Sequence, residues 1–418
     1  MIDRKVHCAW TLAAGLALLP GCATLGPQSL QDTRLRYNEV VKVTTEEQLL
    51  LNIVRLRYTD TPSSLQVSAI AAQFERVQSA SVIPFFTAAA ADTNRSYTSV
   101  LPQAQIQGAD RPTFSLTPLD DQDFTRKLFT PIPLDGIIYL AKTTWPISTV
   151  FRLYLENLNW VPNAQTASGP TPKDAPTVAS FLAGISAMRT LQDRGQIVFA
   201  TEERSESVGS PLPPGAVQAR DLIEASKVNL EYRSDERGNW TLTRKSQQPV
   251  LLVAPSAVGS PEVREMVRVF RLKPGLTKYD ITQEALSPFP ETYPPEGVVN
   301  LDLETRSLLQ ALYYVSHGID VPAEHAQGKL ATITLNADGT RFDWSTVMDG
   351  LFRVSSSGGS DRPEHAHVAV RYHGYWYYID ERDQATKATF SLLMELARLE
   401  LSGKVGPGPQ LTLPLSGK

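Results

Sequence analysis

VAVRYHGYWYYIDERDQATKATFSLLMELARLEL, residues 368–401, carries the clearest structural signal in the chain. His365–Tyr372 and Tyr375–Ile379 read as two strands joined over His373-Gly374, a two-residue turn with glycine in its second position. In that register Tyr372 faces Tyr375, Val370 faces Tyr377 and Val368 faces Ile379, which makes one face apolar. On the other face Arg371 meets Trp376, Ala369 meets Tyr378 and His367 meets Asp380. Asp380–Asp383 supplies a turn and a cap, and Thr386–Leu401 follows as a helix with Phe390, Leu393, Met394, Ala397 and Leu401 at helical spacing. Gln410–Leu415 reads as a last strand. So much aromatic surface must be buried, and the nearest apolar element is a helix expected over Asp302–His317, stopped by Gly318. The fold class is therefore α+β: two or three small modules of mixed sheets packed with helices.

Working outward, Gln165–Pro176 is rich in Pro, Ser, Thr and Gly, with almost nothing to bury, and residues 165–177 read as a linker. They divide an N-terminal α+β domain (33–164) from a middle module (178–272). A Pro-rich connection (273–300) leads to a C-terminal module (301–418). Within the first domain, Thr44 and Glu47 have capping-box spacing before a helix reaching about Tyr58, with Leu49, Leu50, Ile53, Val54 and Leu56 apolar and Arg55 and Arg57 near its end. Leu65–Glu75 and Arg111–Leu119 read as strands, and 80–107 as a mobile loop or long hairpin. Helices are expected over 134–142 and 148–157. In the middle module, helices are expected over 178–194, 216–227 and 262–271, with strands over 196–201, 229–233, 239–244 and 249–253. In the last, Leu330–Leu335 reads as a strand, Asp343–Leu351 as a short helix, and Ser355–Ser360 (SSSGGS) as a hairpin loop.

The chain has 418 residues, and 42% are hydrophobic, so it can build real cores and is not disordered as a whole. Net charge is −4, and no block of five or more basic residues occurs. That composition argues against nucleic acid as a partner.

The first residues give an address. Arg4 and Lys5 precede an apolar stretch, Thr11–Leu19, too short to span a bilayer. Leu19-Pro20-Gly21-Cys22 follows. This motif resembles the lipobox of bacterial lipoproteins, although Pro20 is larger than the residue usual there. The resemblance implies a signal peptide over 1–21, acyl chains on Cys22, and a tether over 22–32. The only other cysteine, Cys8, leaves with the signal, so the mature chain has no free thiol and no disulfide. Ala23 in place of Asp implies the outer membrane, with the body facing the periplasm. Residues 46–70, 111–134, 306–322 and 368–401 together resemble a family of uncharacterised bacterial lipoproteins, a likeness that supplies no mechanism.

No G-x-S-x-G, G-x-G-x-x-G, P-loop, H-E-x-x-H or EF-hand pattern is present. Two small sites are candidates. His365 and His367 share one strand face opposite Asp380, a set that could bind a metal. Arg371, Trp376 and Tyr378 could form a ligand- or partner-binding patch, or Arg371 could stack on Trp376 as a structural pair. His317, beside Gly318, reads as a cation at a helix C-terminus. The expected function is that of a membrane-anchored envelope lipoprotein, non-enzymatic, that scaffolds or docks an envelope protein partner. It has no cofactor beyond the covalent lipid on Cys22. The alternatives are a small-ligand-binding lipoprotein and a metal-dependent envelope hydrolase.

Overall fold

A computed structural model describes the backbone of residues 25–63, 65–71, 74–86, 98–110, 113–118, 122–284, 289 and 297–401, and the side chains of 34–63, 125–284, 289 and 297–398. Cys22, the lipobox, Asp120, Asp121 and the expected strand Gln410–Leu415 lie outside the described residues. Two compact units divide the chain, Met1–Pro62 with Gln122–Leu401 and Ser63–Asp121 with Ser402–Lys418.

The second unit is built from two antiparallel pairs. Strand β1 (Leu65–Ala71) pairs with β4 (Thr113–Pro118) across a bulge between Val67 and Ala69. Strands β2 (Phe74–Phe86) and β3 (Thr98–Asp110) pair without a break over their full length. Of the two expectations for 80–107, the long hairpin is the one formed.

The first unit opens with α1 (Leu25–Arg57). Thr44 does not cap it. The Thr44 hydroxyl donates to the Val40 carbonyl 2.8 Å away and the Thr45 hydroxyl to Val41, so both sit inside a continuous helix that takes up most of the expected tether. Then come α2 (Gln122–Phe129), α3 (Leu134–Lys142) and α4 (Ile147–Tyr154), with β5 (Leu155–Leu158) and β6 (Val161–Pro162). Helix α5 (Ala179–Asp193), β7 (Ile197–Ser207), α6 (Ala219–Lys227), β8 (Leu230–Ser234), β9 (Trp240–Val253) and α7 (Pro261–Val269) follow. Next are β10 (Lys278–Thr282), β11 (Asn300–Thr305), α8 (Leu308–Ser316), α9 (Ala323–Gln327) and α10 (Ser345–Met348). The chain closes with β12 (Ser355–Gly358), β13 (Ala366–Tyr372), β14 (Tyr375–Asp380) and α11 (Gln384–Leu401).

One mixed sheet runs β6-β5-β11-β10-β9-β7, with β8 also on β9; β10 and β11 are parallel and the other pairs antiparallel. This overturns the division into modules. Strand β5 belongs to the expected first domain, β7 and β9 to the middle module, β10 to the Pro-rich connection and β11 to the last module. Their buried side chains, among them Phe151, Phe181, Phe270, Tyr279, Tyr314 and Phe390, form one core. The expected linker is tied into it as well. Ala167, Ser168 and Thr171 are buried, and Ala175 N donates to the Leu335 carbonyl. Small polar residues look like a linker in sequence, but here their hydroxyls meet buried donors.

Other boundaries moved for local reasons. Residues 301–305 alternate Leu-Asp-Leu-Glu-Thr, a period of two, so the expected helix begins as β11. The helix itself starts at Ser307, whose hydroxyl accepts from Gln310 N at 3.2 Å while the Gln310 side chain accepts from Ser307 N at 2.7 Å. Asn159 and Trp160 end α4 earlier than expected by making a tight β5–β6 turn. Leu330–Leu335 holds only two isolated bridges, both at Leu335, to Asp174 and Arg341. Ser355–Gly358 is a strand because it fills the free edge of β14. Phe129, an apolar residue at the end of α2, is exposed. Gly318 is needed for space rather than for its φ: a Cβ there would lie 2.4 Å from the Phe352 carbonyl oxygen. The β13–β14 hairpin forms as read, with His373 at φ 44 and Gly374 at φ 85, the signs of a type I′ turn. Among the described residues no helix is long and apolar enough to cross a membrane.

Candidate functional site

The outer face of β13–β14 brings the residues singled out from the sequence close together without assembling a site. Arg371 lies directly opposite Trp376, and Tyr378 lies between Ala369 and Ser355. The cation–π contact is not formed. Arg371 points into solvent, and the Trp376 indole N–H donates to the Ser360 carbonyl at 3.3 Å. The metal set fails on register. A shift between Ala366 and Val368 puts Ala366, not His367, opposite Asp380. His367 Nδ1 instead lies 2.9 Å from Glu381 Oε2, and Lys387 shares that carboxylate. The Arg382 side chain and its backbone N–H hold Asp380 and push its carboxyl far below the usual carboxylate range. Among the described residues, no group of three or more His, Cys, Asp or Glu is placed to hold a metal. The expected pairing of His367 with Asp380 is therefore corrected: His367 pairs with Glu381 and Asp380 with Arg382.

The inner face holds a cluster that the sequence did not reveal. The Tyr58 hydroxyl is 2.7 Å from His325 Nδ1 and 2.5 Å from the Tyr377 hydroxyl. It fastens the end of α1 to α9 and β14. Burial pushes both phenols up. Residues 58, 325 and 377 share no motif, so only the fold could unite them.

A concavity of about 1010 Å³ lies beside β5, β11 and the start of α8. Its geometry begins with an unusual turn. Leu158 pairs with Val161, leaving Asn159 (φ 45) and Trp160 (φ 65) as the two turn residues. The second position of such a turn normally takes glycine, and a left-handed L-residue costs about 1–2 kcal/mol. Asn159 is what holds the turn. Its amide donates to the Phe270 carbonyl at 2.8 Å and the Asn300 carbonyl at 3.1 Å, and its oxygen accepts from Asp302 N at 2.7 Å. The result is that Trp160 stands in the wall of the groove.

Glu156, Glu284, Asp302 and Glu304 line the same groove, and among its described lining residues there is no Lys, Arg or His. Burial raises the Asp302 carboxyl, although Glu284 N and the Thr282 hydroxyl both donate to it. Burial, then the charges of Glu156 and Asp302, raise Glu304. Four carboxylates thus face one cavity with no cation among them. Phe129, Trp160, Leu309 and Tyr313 supply apolar surface between them. In sequence the signal was faint: an Asn-Trp pair between short apolar runs, and acidic residues scattered over 156–304. No protein-family model, curated protein or solved structure matches this chain.

Proposed function

We propose that the protein is an envelope lipoprotein, held to the outer membrane through Cys22, whose acidic groove docks a basic segment of a periplasmic partner protein. The lipobox-like Leu19-Pro20-Gly21-Cys22 supports the anchor. The groove supports the docking role, and one observation carries it. Four carboxylates line one groove with no Lys, Arg or His among its described lining residues, beside a tryptophan kept in a strained backbone conformation. Strain of this kind persists where the surrounding structure enforces it, and it concentrates at binding sites. Lysine or arginine side chains would relieve the repulsion at Glu304, and their aliphatic stems would lie against Trp160 and Tyr313.

The test uses the full-length chain recovered from gently solubilised membranes. Mass spectrometry of the N-terminal peptide should show an acylated Cys22, and Cys22→Ser should release the protein from the membrane. A stoichiometric partner should co-purify with the wild type, weaken with added salt, and be lost with the double variant Glu156→Gln/Glu304→Gln. Trp160→Gly should also lose the partner while changing stability by less than about 1 kcal/mol, because glycine relaxes the turn. A partner held equally by wild type and double variant would remove the groove from the proposal.

A further inference from the structure

The second compact unit carries a ribbon that the acidic groove leaves unexplained. Strands β2 (Phe74–Phe86) and β3 (Thr98–Asp110) pair antiparallel from Phe74 opposite Asp110 to Phe86 opposite Thr98. They form a sheet of their own. Among the described residues, each strand therefore keeps one row of backbone N–H and C=O groups outside the pairing. A lone two-stranded ribbon is only marginally stable in water.

Register and sequence sort part of this ribbon into two faces. Over 77–86 and 98–107 the strands contain no Asp, Glu, Lys, Arg or His. The chain as a whole is 20% charged, so a stretch of this size and ordinary composition would hold about four charges. Even-numbered positions pair with even and odd with odd, so each set shares one face. The even face is apolar except for Gln78 and Thr98, and includes Val82, Pro84, Phe86, Val100, Pro102 and Ile106. The odd face is mostly polar, with Ser79, Ser81, Ser99, Gln103, Gln105 and Gln107. Val77, Ile83, Phe85 and Leu101 make up the rest of it. Charges return at both limits. Glu75, Arg76, Asp110 and Arg111 stand at one, and Asp92 and Arg95 lie in the sequence between the strands.

A ribbon in water gains from charged side chains on at least one face, whereas hydrocarbon excludes them. About ten residues at roughly 3.3 Å each, tilted near 45°, span about 23 Å, close to the ~25 Å apolar band of outer-membrane barrels. Apolar positions alternating with uncharged polar ones are the pattern of a barrel strand, with lipid on one face and the lumen on the other. Hydrocarbon also tolerates no open strand edge, because nothing there replaces a missing backbone hydrogen bond. One hairpin cannot close on itself. The smallest barrels have about eight strands, so about four or more copies must pair β3 of one with β2 of the next. Pro84 and Pro102 each lack the N–H for one ladder bond, which costs a barrel one bond per strand and hinders edge pairing before assembly.

We propose that β2–β3 is a membrane-inserting hairpin, and that four or more copies of this chain join their hairpins into one β-barrel pore. The even face meets lipid and the odd face lines an uncharged, water-filled lumen. The proposed lipid anchor serves only to choose the membrane, and the acidic groove plays no part.

The test uses the full-length chain carrying Cys8→Ser and Cys22→Ser, so that neither a native thiol nor an acyl anchor contributes. It is added to vesicles of phosphatidylethanolamine and phosphatidylglycerol. Val82→Cys, Val100→Cys, Ser81→Cys and Gln103→Cys would each carry a polarity-sensitive fluorophore. A lipid-borne nitroxide should quench the first two, and aqueous iodide the last two. Planar bilayers should show stepwise conductance with little preference between K⁺ and Cl⁻, and cross-linking should trap at least four copies. Val82→Arg with Val100→Arg should cut the inserted fraction at least about tenfold, because a cation facing hydrocarbon is costly. Ser81→Arg with Gln103→Arg should insert as the parent does and make the conductance anion-selective. If the arginine variants do not fold, the quenching pattern decides alone. A missing acyl group on Cys22 would defeat the anchor but leave these results standing. Equal iodide quenching at all four positions, a chain that stays monomeric in vesicles, or equal losses in both arginine variants would each overturn the proposal. So would an even face reached by neither quencher, as a second copy packed on it in water would give.

Discussion

Arg306 and Arg57 are the same residue type, both essentially buried, and burial lowers both to about 10. Their surroundings differ. Arg306 Nε donates to the Ser168 hydroxyl at 2.9 Å, Nη1 to the carbonyls of Arg152 and Leu153, and Nη2 to the Asn163 carbonyl. Its guanidinium lies 3.8 Å over the Tyr314 ring, within the favourable field of Glu156. Every face of that cation is answered from within the chain. Arg57 has two neutral acceptors on one nitrogen and nothing on Nε. The contrast teaches that depth of burial does not measure how well a buried charge is satisfied; the donors left over do. Arg306 knots the supposed linker to β11 and α8. Arg57 Nη1 donates to the Thr171 hydroxyl and the Thr332 carbonyl, and its Nε is left without a partner.

The sharpest test of this contrast is Arg306→Leu. It orphans the Ser168 hydroxyl and the Leu153 and Asn163 carbonyls at once, and should cost at least about 3 kcal/mol, read from urea midpoints. A loss under 1 kcal/mol would break the comparison.

The next effect belongs to His317, beside Arg57. An unfolded histidine titrates near 6.5 and the folded one only at about 3, so the native state binds fewer protons. Its contribution is complete above pH 6.5 and is lost as pH falls toward 3, with a slope approaching about 1.4 kcal/mol per pH unit. Urea midpoints between pH 7.5 and 4.5 should fall more steeply for wild type than for His317→Phe, and parallel curves would refute the buried neutral ring.

Arg57→Leu should cost no more than about 1 kcal/mol, since the lost hydrogen bonds are offset by removing an uncompensated buried charge. The smallest effect lies in the groove next to Arg306. At pH 7, Glu304→Gln should stabilise the protein by a few tenths of a kcal/mol, discounted for the exposure of that side chain. The raised Glu304 carboxyl makes the wild type gain stability as pH falls through its titration, so the difference should vanish below about pH 4.

Local signals were readable wherever the local rule and the final packing agreed. The His373-Gly374 turn, the helix over 134–142 and the apolar stripe Leu49–Leu56 all stand as read. Arg57 was legible as a cation in the last turn of a helix, but not as a buried one. His317 was read as a helix-end charge and is a neutral ring stacked on Trp344. The residues that decide this, Thr171, Thr332 and Trp344, lie more than 100 positions from Arg57, in stretches read as a linker, a strand and a short helix.

By itself, then, the sequence determined the α+β class, most elements, and the register of the last hairpin from Val368 to its turn, because turn chemistry and side-chain periodicity act over a few residues. Tertiary structure alone decided that one sheet draws its strands from every supposed module, and that Ala167, Ser168 and Thr171 of the supposed linker are buried. It alone decided which of two buried arginines is satisfied. Those outcomes rest on hydrogen bonds and burial between segments remote in the chain, and no local pattern encodes which distant carbonyl a buried donor will find.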